Sequence, residues 1–139
     1  MGVNVKTVVF DCHDPYALGR FWAEALQYEP SMGVDDWPSL ARESAAGELE
    51  WVRLVDRGPN VAVAFQRVPE GKVVKNRVHL DLRAVDIEAE ASRLERLGAT
   101  RLYRSDDPED VFVVLADPEG NEFCVVQTPQ PDADAPPHA

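Results

Sequence analysis

The stretch NRVHLDLRAVD, Asn76 to Asp86, alternates polar and apolar residues, and Arg77, His79 and Asp81 share its polar side. An imidazole so placed can hold a metal, move a proton or line a pocket. The outcome depends on which groups the fold brings beside it. Other reactive residues are Glu122 and Cys124 late in the chain and the run Cys12, His13, Asp14 near its start. The two cysteines are far apart and neither belongs to a C-x-x-C pair, which excludes a disulfide framework and zinc-finger or thioredoxin-type motifs. Phosphate-cradling glycine loops, the H-E-x-x-H zinc motif and the G-x-S-x-G elbow are absent as well. Cys12 falls on the apolar side of its segment, where a thiol packs as a small hydrophobe. His13 falls at the end of that segment and His138 in a Pro/Ala/Asp-rich tail, so neither is expected to carry chemistry.

The elements that must position these residues occur twice. TVVFDCHDPYALGRFWAEAL, Thr7 to Leu26, and HLDLRAVDIEAEASRLERLG, His79 to Gly98, each read as a strand, an Asp and a helix. Thr7 and His79 stand as far apart as Asp14 and Asp86, so the two stretches superpose without a gap. Each Asp is an expected N-cap, and Pro15 takes the first helical position, where a missing N–H costs nothing. Leu18, Phe21, Trp22, Ala25 and Leu26 form one apolar stripe, and Ile87, Ala91, Leu94 and Leu97 a narrower one ending at Gly98. The stripes should pack on Val8 and Phe10 and on Leu80 and Leu82, leaving Thr7, Val9, His79 and Asp81 on the other side.

Further strands are expected over Tyr28–Met32, Glu48–Val55 and Val61–Val68 in the first half, and over Thr100–Arg104, Val111–Ala116 and Glu122–Gln127 in the second. DRGPN and DPEGN supply the tight turns. The first half is longer between its cap and its turn (Asp14 to Asp56, against Asp86 to Asp117). The excess falls within VDDWPSLARESAAGE, which is either a pocket rim carrying Trp37 or a plain surface excursion. PEGKVVKN links the halves. One domain over residues 1–127 follows, with module one at 3–68, module two at 76–127 and a disordered tail at 128–139.

The chain has 139 residues and a net charge of −11, without a basic stripe. Acidity of that size argues against nucleic acid and anionic membrane surfaces as partners. No apolar run is long enough to span a bilayer, and the N-terminus lacks a signal-peptide pattern, so a cytoplasmic location is expected.

Two β-α-β-β-β modules in one short chain resemble the vicinal oxygen chelate superfamily, which includes glyoxalase I, bleomycin-resistance proteins, fosfomycin-resistance enzymes and ring-cleaving dioxygenases. FDCHDPYALGRFWAEAL is similar to the first strand and helix of its glyoxalase-like actinobacterial subgroup, NRVHLDL to the strand opening the second module, and DPEGNEFCVV to the closing hairpin. The resemblance implies an α+β fold, with two tandem modules forming a curved mixed sheet, or cup, and helices outside. It also implies a homodimer. In metal-using members four positions supply ligands. They map here onto Thr7, the neighbourhood of Val63, His79 and Cys124, where only His79 is a family-type ligand. No metal and no cofactor are therefore expected.

What remains is a pocket for a small molecule, lined by Thr7, Trp37, Trp51, Val63, Phe65, His79, Asp81, Glu122 and Cys124. Two functions compete. One is a metal-independent binder, of the bleomycin-resistance type, for an aromatic or cationic compound. The other is a glyoxalase-like lyase or isomerase with His79 as general acid or base and Glu122 as its partner. A metal-dependent lyase or dioxygenase stands third.

Overall fold

The structure is a computed structural model that describes residues 2–31 and 36–128. The tail beyond Thr128, with His138, lies outside the described residues, as do positions 32–35 of the first-half insertion. The chain divides into two compact units, Met1–Lys72 and Val73–Ala139.

In the first unit β1 (Thr7–Cys12) leads into α1 (Pro15–Leu26), β2 (Glu29–Pro30), α2 (Trp37–Ala45), β3 (Trp51–Val55) and β4 (Ala62–Arg67). The sheet order is β1-β4-β3-β2, with β1 parallel to β4 and the other pairings antiparallel. The second unit has β5 (Asp81–Ala84), α3 (Ile87–Leu97), β6 (Thr100–Arg104), β7 (Phe112–Ala116) and β8 (Glu122–Gln127). Its order is β5-β8-β7-β6, with β5 parallel to β8. Each unit is thus α+β with a mixed sheet, and the strand orders correspond one to one.

The helices begin where the caps predict. Asp14 accepts from the Ala17 amide and Asp86 from the Ala89 amide, each at 3.0 Å. α3 ends at Gly98, whose φ of 126° suits a residue without a Cβ. The insertion holds α2, a helix the sequence reading left as a rim or excursion. Its signals are ordinary ones: Asp36 caps the Ser39 amide at 2.7 Å, Pro38 sits in the first turn, and Leu40 is the single buried anchor. No helix among the described residues is long and apolar enough to cross a membrane.

Each helix seals one side of its sheet. Leu18, Phe21, Trp22 and Ala25 of α1 are buried, and Phe10 contacts both Trp22 and Phe65 ring to ring. Gly19 permits this close approach, since a Cβ there would lie 3.2 Å from Val52 Cγ1. In the second unit Ile87, Ala91 and Leu94 are buried, as are Val113, Leu115, Phe123 and Val125 on the side of the sheet facing α3. Burying each large side chain contributes roughly 1.5–3 kcal/mol.

The pairing corrects two expectations. Val63 and Phe65 are 5% and 0% exposed and lie opposite Val8 and Phe10, so they belong to the core under α1 and line no pocket. The strand opening the second module starts at Asp81 rather than His79, although the Leu80 carbonyl still accepts from the Cys124 amide at 2.9 Å. Phe65→Ala should therefore destabilise the protein by about 3–5 kcal/mol, the cost of an aromatic cavity. Urea denaturation checks this, and a loss near 0.5 kcal/mol, typical of a surface site, would return Phe65 to the pocket.

Candidate functional site

Because side chains alternate, each sheet keeps a second face that its own helices do not cover. In the second unit the register sets Tyr103 opposite Val114, Val114 opposite Cys124, and Cys124 opposite Asp81. One row therefore crosses all four strands. Tyr103 joins it through a bulge. Arg101 still faces α3, where it pairs with Glu88 and Glu95, but the shift between Arg101 and Tyr103 turns the tyrosine to the helix-free side. Tyr103 is 58% exposed and meets the Phe112 ring edge-on at 6.3 Å.

His79 completes the polar end of this row. Its Nε2 lies 3.2 Å from Asp81 Oδ1, and donor atoms of His79, Asp81 and Cys124 all fall within 4.8 Å of one another. The Cys124 thiol faces the Asp81 carboxylate across the β5–β8 pair. Burial, and after it the charge of Asp81, pushes this thiol above its ordinary range. Glu122 stands two residues before Cys124 on the same face, and its carboxylate accepts from the Asn76 amide at 3.2 Å. The carboxylate beside His79 is Asp81, its neighbour on the polar side of the strand as alternation predicts, while Glu122 lies further along the same face.

In the first unit the helix-free face carries Thr7 and Val9 of β1, Ala62 and Ala64 of β4, and Trp51 and Arg53 of β3. Trp51 is 42% exposed. Arg53 donates from Nε to Thr7 Oγ1 at 3.4 Å and from Nη1 to Ser31 Oγ at 3.1 Å. Trp37 does not join this face. It packs edge-on against Tyr16 of α1, with the Arg20 guanidinium 4.6 Å above its ring, a cation–π contact. A separate surface pocket of about 210 Å³ is lined by His13, Asp14, Ser44, Leu49 and Arg67 among others. Arg67 there is bonded to the Gly47 carbonyl, and Cys12 is buried in the core.

The residues at the four mapped ligand positions do not fit the superfamily's metal. The Thr7 hydroxyl is engaged by a guanidinium, Val63 points into the core, and burial and the charge of Asp81 push the Cys124 thiol above its ordinary range. His79, Asp81 and Cys124 are a donor set for zinc or copper rather than for magnesium or manganese. Such an ion would first have to displace the thiol proton.

The sequence pattern of the family described as glyoxalase-like domain matches residues 7–126. No curated protein matches the chain. Among solved structures, the chain is similar to a glyoxalase/bleomycin resistance protein/dioxygenase family enzyme from Burkholderia phytofirmans PsJN, at 13% identity and a TM-score of 0.67, covering 90% of this chain and 98% of that one. It is similar to a fosfomycin resistance protein from Mesorhizobium loti, at 12% identity and a TM-score of 0.65, covering 96% and 98%. It is also similar to the bleomycin-binding protein of bleomycin-producing Streptomyces verticillus, solved with copper(II)-bleomycin, at 15% identity and a TM-score of 0.56, covering 92% and 98%. These likenesses are of fold.

The shifted thiol yields a prediction. Cys124 should react with iodoacetamide more slowly at pH 8 than an unperturbed thiol, because less of it is thiolate. Asp81→Asn removes a repulsive charge and should accelerate the reaction. A folded-state thiol pKa raised above the unfolded value adds stability below the unfolded value, and that stability is lost as pH rises through the folded one. Mass-resolved alkylation of Cys124 checks this, and an unchanged or slower rate in Asp81→Asn contradicts it.

Proposed function

The chain belongs to the glyoxalase-like domain family, within the vicinal oxygen chelate superfamily, and we propose that it binds a small aromatic or cationic molecule without using the superfamily's metal centre. The observation that carries this reading is the Tyr103–Val114–Cys124–Asp81 row with His79 on its polar end. An exposed ring and apolar strip leading to a compact polar cluster is how small-ligand sites are built. Asp81 and Glu122 provide carboxylates for a positive group, consistent with the chain's net charge of −11. The bleomycin-binding and fosfomycin resistance proteins with the same fold lend this reading support. We assign the chain to the actinobacterial glyoxalase-like subgroup on FDCHDPYALGRFWAEAL and NRVHLDL, and take it to be a cytoplasmic homodimer.

A thermal-shift screen of aromatic amines tests the binder. At a hundredfold excess over Kd a ligand stabilises by about 2.7 kcal/mol, which raises Tm by roughly 10 °C in a domain of this size. Tyr103→Ala and Asp81→Asn should each abolish most of that shift. A diverse aromatic library that stabilises nothing would defeat the proposal.

The His79–Asp81 contact favours one second reading, a glyoxalase-like lyase or isomerase. Asp81 would hold the imidazole by Nε2 and leave Nδ1 to take or give a proton at the substrate. On this reading His79→Ala lowers turnover of an active substrate by roughly 10²–10⁴-fold with the fold intact. Retention of full turnover by His79→Ala would exclude it.

A further inference from the structure

The chain has 25 acidic and 14 basic residues, so carboxylates are abundant around its arginines. Most arginines with described contacts obey that arithmetic. Arg20, Arg57, Arg67, Arg93, Arg101 and Arg104 each pair with a glutamate. Arg53 is different. It is half-buried on the helix-free face of the first unit, and among the described residues its side chain bonds only to the hydroxyls of Thr7 and Ser31. Hydroxyls orient a guanidinium without neutralising it.

The surroundings are built to keep it there. Arg53 of β3 reaches Thr7 of β1 with β4 between them, and the β4 residues on this side are Ala62 and Ala64. Small side chains leave room for the arm to cross. Two of the five guanidinium N–H groups are spent on the hydroxyls, which leaves three, on Nη1 and Nη2. That remaining fork matches the two oxygens of a carboxylate or phosphonate. Apolar surface flanks it. Trp51 lies two residues away on the same strand face, and Val9, which shares the Ala64 register with Arg53, is 43% exposed.

We propose that this face is an anion-selective subsite, in which Arg53 binds the carboxylate or phosphonate of a small organic acid whose hydrocarbon body rests on Trp51 and Val9. Thr7 is a positioning residue: at a position mapped onto a metal ligand, it holds an organic cation instead. The subsite goes beyond the preceding reading, which rests on the second unit's carboxylates and a ligand of opposite charge.

The test uses the full chain labelled with ¹⁵N and follows the Arg53 Nε–H resonance, assigned through Arg53→Lys. Benzoate and phenylphosphonate should shift it saturably, and benzyl alcohol and benzylamine should not. Arg53→Gln should weaken anion binding by roughly tenfold or more, with Arg53→Lys in between because it keeps charge but loses the fork. Thr7→Val, which keeps the charge, should weaken benzoate while leaving the backbone spectrum unchanged elsewhere. The inference is overturned if benzylamine or benzyl alcohol shifts Arg53 as much as the acids do. It is overturned equally if Arg53→Gln holds the anion within twofold of the parent, or if no acid moves the resonance at about 10 mM, a very weak affinity. Failure here leaves the second-unit binder standing, and failure of the aromatic-amine screen leaves this subsite standing.

Discussion

In each unit the first strand lies parallel to the last, β1 on β4 and β5 on β8, and parallel neighbours cannot be joined by a tight turn. The chain must leave the sheet, form a helix, and return through antiparallel strands before the pair can close. α1 and α3 are those crossovers, and each covers the face it crosses. The other face of each sheet is left without a helix of its own. The row that joins Asp81 to Cys124 and the Arg53–Thr7 contact lie there, and the parallel register decides which side chains meet. Asp81 opposite Cys124 is the clearest instance. A slip of one residue would send Asp81 toward α3 and bring Leu82 out in its place.

Charge organises the surface around that frame. Acidic residues outnumber basic ones, and most described arginines are tied to glutamates at helix and strand edges. Such exposed pairs add little individually. Arg53 differs from these in being half-buried with hydroxyl partners, and the Asp81 carboxylate differs in facing an imidazole and a thiol instead of a guanidinium. At the ligand positions mapped by resemblance, this chain has a threonine–arginine contact in one unit and, in the other, a thiol raised by burial and by Asp81.

Much of the architecture was legible beforehand because it depends on local rules. Helix periodicity located α1 and α3. Asp14 and Asp86 were readable as caps, and DPEGN as a turn whose Asp117 accepts from Glu119 and Asn121. The duplication followed from matching spacings. α2 was missed although Asp36, Pro38 and Leu40 announce it, because a nine-residue helix with one buried anchor has almost no apolar period to detect. Spacing alone leaves Trp37 on either a rim or a surface excursion; in the fold it rests on Tyr16 and beneath Arg20.

The sequence by itself determined the order of elements, the sealed face of each helix, and His79 and Asp81 on one side of a strand. Alternation and helical period are properties of a single segment, and no partner is needed to read them. Only the tertiary structure decided which segments lie side by side. Val61 to Phe65 is apolar at every position, so nothing local tells its two faces apart, and Phe65 went to the core through its pairing with Phe10. The bulge before Tyr103 turned an aromatic residue onto the helix-free side. The Arg53 bonds to Thr7 and Ser31, and the meeting of Cys124 with Asp81, join residues on different elements far apart in sequence. Those contacts are set by strand register, which is a relation between segments and is written in none of them alone.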